Sequence, residues 1–272
     1  GDADQEKTLF FAKPRFQATW TPAANNQFRF RVEREVGQLD FGNFAASADL
    51  DEDAVLGGNA DLEPESRWIA EAAYERRFWG DGIFSLTWRH DEISNVIDRI
   101  PLAGGLSAVG NIGDGTLDRL SANIAVPTDR LGVAGGRFTF RNDWNVTEVT
   151  DPTTGESRTI SNVRPSQPNI GFAQDLPAWK LNWSVNYLPI LSQRTWSPDQ
   201  ISGFSGSDYW EMAVEYKPTP SLSLRAQLNI WDDFTVSRTV FAARTNPRPI
   251  LYEETRDIDP RTFVSLRLRK TF

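Results

Sequence analysis

Cysteine is absent from all 272 residues, and histidine and methionine occur once each. That excludes a disulfide scaffold, thiolate metal sites and cysteine nucleophiles, while leaving the compartment open. No apolar run approaches the roughly 18 to 20 residues of a membrane helix, so a helical span is excluded. A β-barrel span passes the same test, because its alternating segments average out in any hydropathy sum. Positive charge is short as well. The chain holds 29 Lys and Arg against 37 Asp and Glu, a formal net charge of −8, and lacks the clustered cations of a nucleic-acid surface. The opening GDADQEKTLFF has no charged segment leading into an apolar one, so it does not read as a signal peptide.

What is there is polar for a chain long enough to bury a large core: charged residues make up 24% and mean hydropathy is −0.45. Period-two alternation accounts for that balance. About eleven segments of roughly ten residues carry one apolar parity each, with almost no 3.6-residue pattern, which reads as all-β. In QFRFRVERE, Phe28, Phe30 and Val32 alternate with Arg29, Arg31, Glu33 and Glu35. A soluble sandwich would strand those charges in its core, so the charged face must see water. Leu222, Leu224, Ala226, Leu228 and Ile230 oppose Ser223, Arg225, Gln227 and Asn229 in the same way.

The connections alternate too. TPAANN (21–26), WGDG (79–82), PTDRLGVAGG (127–136), DLPA (175–178) and KPTP (217–220) read as short turns. Between them lie long loops near 37–65, 94–115, 150–168, 188–207 and 233–260. Short turns at one end and long loops at the other is the build of a membrane barrel. Aromatic residues mark both ends: Trp20, Phe78, Trp79, Trp179 and Tyr216 beside short turns with Phe272 at the C-terminus, and Trp68, Trp88, Trp144, Tyr187 and Trp210 near long loops. Two girdles fit the two interfaces of one bilayer.

The last segment, RTFVSLRLRKTF, fixes which face is which. Val264, Leu266, Leu268 and Phe272 are expected to face lipid, and Arg267 and Arg269 an aqueous lumen, with Lys270 snorkelling near the end. Backbone groups in hydrocarbon must all be paired, so the sheet has to close. Eleven up-and-down strands leave the first and last running the same way, whereas single-chain bacterial barrels nearly always have even numbers. The expected fold is therefore an antiparallel transmembrane β-barrel, of which residues 1–272 are the C-terminal part.

These residues resemble the TonB-dependent outer-membrane transporters, whose barrels of about 22 strands surround an N-terminal plug. GNADLEPESRWIAEAAYERRF (58–78) is similar to that family's loop-to-strand signature, with Asn59, Leu62, Pro64, Glu65, Ser66 and Glu71 in place. FSLTWRHDEISNVI (84–97) looks like the next strand, with Asp91, Ile93 and Ile97, and NIGDG (111–115) resembles the element opening the one after. Val264, Leu266, Leu268 and the terminal Phe272 resemble the signal read by the barrel assembly machinery. QLDFGNFAASADL (38–50) and FAQDLPAWKLNW (172–183) look most like transporters of sphingomonad or caulobacter-type bacteria. The resemblance implies about half of a 22-strand barrel in the bacterial outer membrane, embedded in lipid and lipopolysaccharide. It also implies active uptake of a small ligand, with a plug and the remaining strands supplied outside this sequence and TonB acting through the plug. A passive porin or two-chain pore, and a soluble β binding module, are the alternatives.

No catalytic constellation, cofactor motif or metal site emerges. His90 shares parity with Phe84, Leu86 and Trp88 and reads as an interfacial residue. DLDED (49–53) lacks EF-hand spacing and reads as a solvated loop, and the Gly pairs at 57–58, 104–105 and 135–136 read as turn chemistry. Inward parity collects a mixed field of charge that could hold water, a plug or a polar ligand. Within it, Arg89, Asp91, Arg141, Glu211 and Arg225 are the candidate ligand contacts, joined by two aromatics outside the girdle pattern: Trp196 in a long loop and Trp231 at lumen parity.

Overall fold

The computed structural model describes residues 10–44, 47–49, 54–103, 106–245 and 247–271. Phe272, residues 50–53 of the acidic run and the Gly pair at 104–105 lie outside them. Alternation becomes one antiparallel sheet. Its strands are β1 (Arg15–Ala23), β2 (Asn26–Val36), β3 (Ser66–Phe78), β4 (Gly82–Ser94), β5 (Gly115–Pro127) and β6 (Gly136–Thr150). They continue with β7 (Asn169–Leu176), β8 (Leu181–Ile190), β9 (Ser207–Thr219), β10 (Leu222–Trp231) and β11 (Phe263–Lys270). Each pairs with its neighbours in chain order, and the short Ser157–Arg158 segment pairs beside β6. Among the described residues the sheet is open: β1 and β11 are each hydrogen-bonded on one side only.

Register sorts the side chains as the period demands. Phe28, Tyr74 and Leu86 lie in one cross-strand row, and Arg31, Glu71 and Arg89 in another. One face is apolar and the other polar, the reverse of a sheet folded over an oily core. Leu266 on the apolar face of β11 is 81% exposed, a cost in water that lipid removes. Aromatics gather at both ends of that face. Trp20 stacks on Phe28 at 5.2 Å near the short turns, and Tyr187 packs against Trp210 at 4.4 Å near the long loops.

Short turns close one end. In the Trp79–Gly80 turn both residues have positive φ, 54° and 86°, the left-handed pair that matches the twist of a tight hairpin. At the other end the long connections fold into structure of their own. Two four-stranded sheets form there. One joins Ser47–Asp49, Ala54–Gly57, Ser107–Asn111 and Ile97–Pro101, and the other joins Gln193–Trp196, Gln200–Phe204, Phe234–Phe241 and Ile250–Ile258. Beneath the loops, polar-face parity turns apolar: Ile93, Leu117 and Val149 bury with Val96 and Ile112 in a small core. Covering loops make that switch favourable, since these positions leave water on folding.

Candidate functional site: lumenal wall and outer loop layer

Strand geometry puts residues i and i+2 on one face about 7 Å apart, within reach of an Arg and a carboxylate. The polar face of β1–β4 uses this spacing repeatedly. Arg31 bonds Glu33 at 2.6 Å and Glu71 across the strand at 2.7 Å, and Glu33 also receives Arg15 at 3.1 Å. Arg89 forks onto Asp91 at 2.6 and 2.7 Å. Arg67 reaches the same Asp91 at 3.3 Å while bonding Glu65 at 2.6 Å. Asp91 is fully buried, and two guanidiniums compensate its charge. Of the predicted contacts, Arg89 and Asp91 are thus brought together and satisfied within the wall.

The other predicted residues are spread out. Glu211 and Arg225 form a long pair at 3.7 Å across β9 and β10, with Arg225 also donating to Gln227 at 3.1 Å. Trp231 keeps lumen parity: pairing from Tyr209–Trp231 to Tyr216–Leu224 runs without a bulge, and its ring packs on Tyr209 at 4.2 Å. Arg141 stands apart. It has Asp143 at the i+2 spacing that forms ion pairs elsewhere, yet neither side chain has a hydrogen bond or ion pair among the described residues. His90 sits on the apolar face beside Trp88, its ring nitrogens meeting Asp118 at 2.8 Å and Glu92 at 3.2 Å.

Trp196 lies at the centre of a cluster that sequence reasoning missed. Its ring is flanked by the guanidiniums of Arg158 and Arg244, 5.5 and 5.7 Å from the centroid. Both cations bond Asp151, Arg158 at 2.8 Å and Arg244 at 2.6 Å, and Arg158 also bonds Asp98 at 3.0 Å. All four charged side chains are 5% exposed or less. Ser161 completes the network, donating to Asp98 at 2.7 Å and accepting the Trp196 backbone N–H at 3.0 Å. Four outer loops are tied at one neutral hub, and the half-buried Trp196 ring packs against both of its cations. Burial pushes the Asp151 carboxyl up, but the Arg244 hydrogen bonds, the N–H groups of Thr153 and Thr154 and the Arg244 charge outweigh it and hold the carboxyl below its ordinary value. Only the DPTTG turn, where Asp151 accepts those two N–H groups at 2.9 and 3.0 Å, was a local signal.

A sheet with one lipid-type face, one charged face, two aromatic girdles and loops gathered at one end defines the wall of an outer-membrane β-barrel. The chain belongs to the TonB dependent receptor-like, β-barrel family, whose model matches residues 3–229, which places it in the bacterial outer membrane. That family is one of receptors, not enzymes. Similar solved structures include mutants of the ferric enterobactin receptor (PfeA) from Pseudomonas aeruginosa. One matches at 13% identity with a TM-score of 0.63, covering 96% of this chain and 40% of the receptor. A second mutant matches at 12% with a TM-score of 0.62. A third, in complex with enterobactin, matches at 13% with a TM-score of 0.63. This chain thus spans 40% of the length of the receptors it matches. Neighbours from P. aeruginosa carry nothing on the sphingomonad or caulobacter-type likeness.

Proposed function

We propose that residues 1–272 are the C-terminal part of the barrel of a TonB-dependent uptake receptor. A plug and further strands complete it, and TonB acts through the plug to admit a small ligand held at the outer loops. The observation that carries this reading is the eleven-strand path in strict chain order, open at both edges. Open edges in hydrocarbon leave backbone groups unpaired, so more strands are required. This segment contributes wall, five outer connections and the closing strand β11, whose Val264, Leu266 and Leu268 face lipid and act with Phe272 as the assembly signal.

The test is an intact mass and N-terminal sequence of the fully denatured polypeptide from outer membranes, paired with conductance in a planar bilayer. The expected result is a mass far above 30.7 kDa and a closed barrel at rest. A 30.7 kDa polypeptide that conducts small ions without TonB would make it a porin or a two-chain pore instead.

A further inference from the structure

The polar faces of β1–β4 and β5–β7 differ in one respect. On the first, Arg15, Arg31, Arg67, Arg77 and Arg89 meet carboxylates, and Arg29, opposed by Thr19 and Ala73, is the exception among the described residues. On the second, Arg137 and Arg141 have no hydrogen-bond or ion-pair partner among the described residues. Register explains why. Arg141 is opposed by Asn123 and Asn169, and Arg137 by Pro127 and Ala173, so no acid faces either cation across the sheet.

The surface around them is a trough. One depression of about 280 Å³ is lined by Arg137, Thr139 and Asn123. A second of about 250 Å³ is lined by Asp143, Arg164 and Gln167, and the two share Arg141 and Asn169. Three arginines line the trough against one carboxylate, and Arg164 spends its Nε–H on Gln193 at 3.1 Å. Each depression falls below the roughly 300 Å³ at which small-ligand pockets begin. Residues 137 and 141 are also about 13 Å apart along the strand, so one small anion cannot satisfy both. A polypeptide surface carrying spaced carboxylates can.

Resting on the uptake-receptor reading above, we infer that the β5–β7 wall docks an acidic face of the polypeptide that fills the lumen, with Arg137 and Arg141 as the latch. The chain covers 40% of its structural neighbours, which leaves ample polypeptide outside it to supply that face. Carboxylates brought to the trough meet the guanidiniums of Arg137 and Arg141, with the carboxamides of Asn123 and Asn169 opposite Arg141 in the same lining. On the wall of β1–β4, Arg15, Arg31, Arg67, Arg77 and Arg89 each meet an acid, and the surplus is the single cation Arg29.

The test uses the full-length receptor in outer-membrane vesicles and follows protease clipping of the lumenal domain while heat-modifiable migration reports an intact barrel. The Arg137→Gln/Arg141→Gln double variant should be clipped about fivefold faster than wild type near 0.05 M salt, and the difference should vanish near 1 M. Arg141→Lys within an otherwise unchanged chain should stay near wild type, because it keeps the charge. Arg77→Gln, which removes a cation already paired with Glu75 at 3.1 Å, should also match wild type. Equal clipping of the double variant and wild type at low salt overturns the latch, as does an Arg77→Gln effect of the same size. A receptor with no protected lumenal domain fails differently: it removes the uptake-receptor reading, and the latch with it.

Discussion

Two ion pairs join the β6–β7 connection to the β10–β11 connection, and they differ in surroundings more than in chemistry. Asp151 and Arg244 are 3% and 4% exposed, inside a network with Arg158 and Asp98. Glu156 and Arg248 are 62% and 43% exposed on the surface of the same two loops. In the buried pair each charge has given up water and depends on its partner; in the exposed pair water competes throughout. The outer loops should therefore be held by the first and indifferent to the second. Removing one member of each pair tests that contrast.

Asp151→Asn should have the largest effect. It leaves Arg158 and Arg244 buried with only Asp98 to balance them, and breaking a buried pair costs about 3–5 kcal/mol. That loss should appear as faster amide exchange over residues 151–164 and 193–204, with the strands of the wall unchanged. Wild-type protection in the variant would mean the hub does not hold the loops. The same carboxyl sets a pH limit. Because its folded pKa lies below the ordinary value, its contribution is complete above the unfolded value near 3.9 and is lost as pH falls through the folded one. Loop protection from this source should hold from pH 7 to about 4 and decline only in stronger acid, and Asp151→Asn should abolish that decline.

Trp196→Leu should come next. It keeps apolar bulk between the two guanidiniums but removes the ring face each one meets, a loss of about 1–2 kcal/mol for partly desolvated cation–π contacts. Exchange should quicken in the same loops to a smaller degree. No change would place the ring's value in volume alone.

The wall was legible in the sequence and the hub was not, for a physical reason. A strand repeats every two residues, so Phe28, Phe30 and Val32 against Arg29, Arg31 and Glu33 already declare two faces, and WGDG or KPTP declares where a strand turns. Lumen parity of Arg89, Glu211, Arg225 and Trp231 followed from the same count. Contacts between loops carry no period. Asp151 and Arg244 are 93 residues apart, and nothing near either one announces the other. The two outer sheets were read only as long loops: Ala54–Gly57 and Gln193–Trp196 alternate too briefly to stand out, whereas Phe234–Phe241 and Ile250–Ile258, at 8 and 9 residues, were long enough to read and were passed over. Arg141 shows what spacing leaves open: Asp143 stands at the same i+2 offset as Asp91 from Arg89, yet no pair forms among the described residues, because spacing makes a pair possible and local geometry decides it.

The smallest effect belongs to Glu156→Gln. Arg248 holds the Glu156 carboxyl below its ordinary value, first through the side-chain hydrogen bond and then through charge, so the pair is real as an electrostatic contact. Yet both groups keep water on their outer sides, and holding two long side chains in one geometry costs entropy that nearly offsets the attraction. Amide exchange in the two loops should be the same in the variant as in wild type, at low and high salt alike. A change as large as that of Asp151→Asn would show that contact, rather than burial, decides which charges hold the outer loops together.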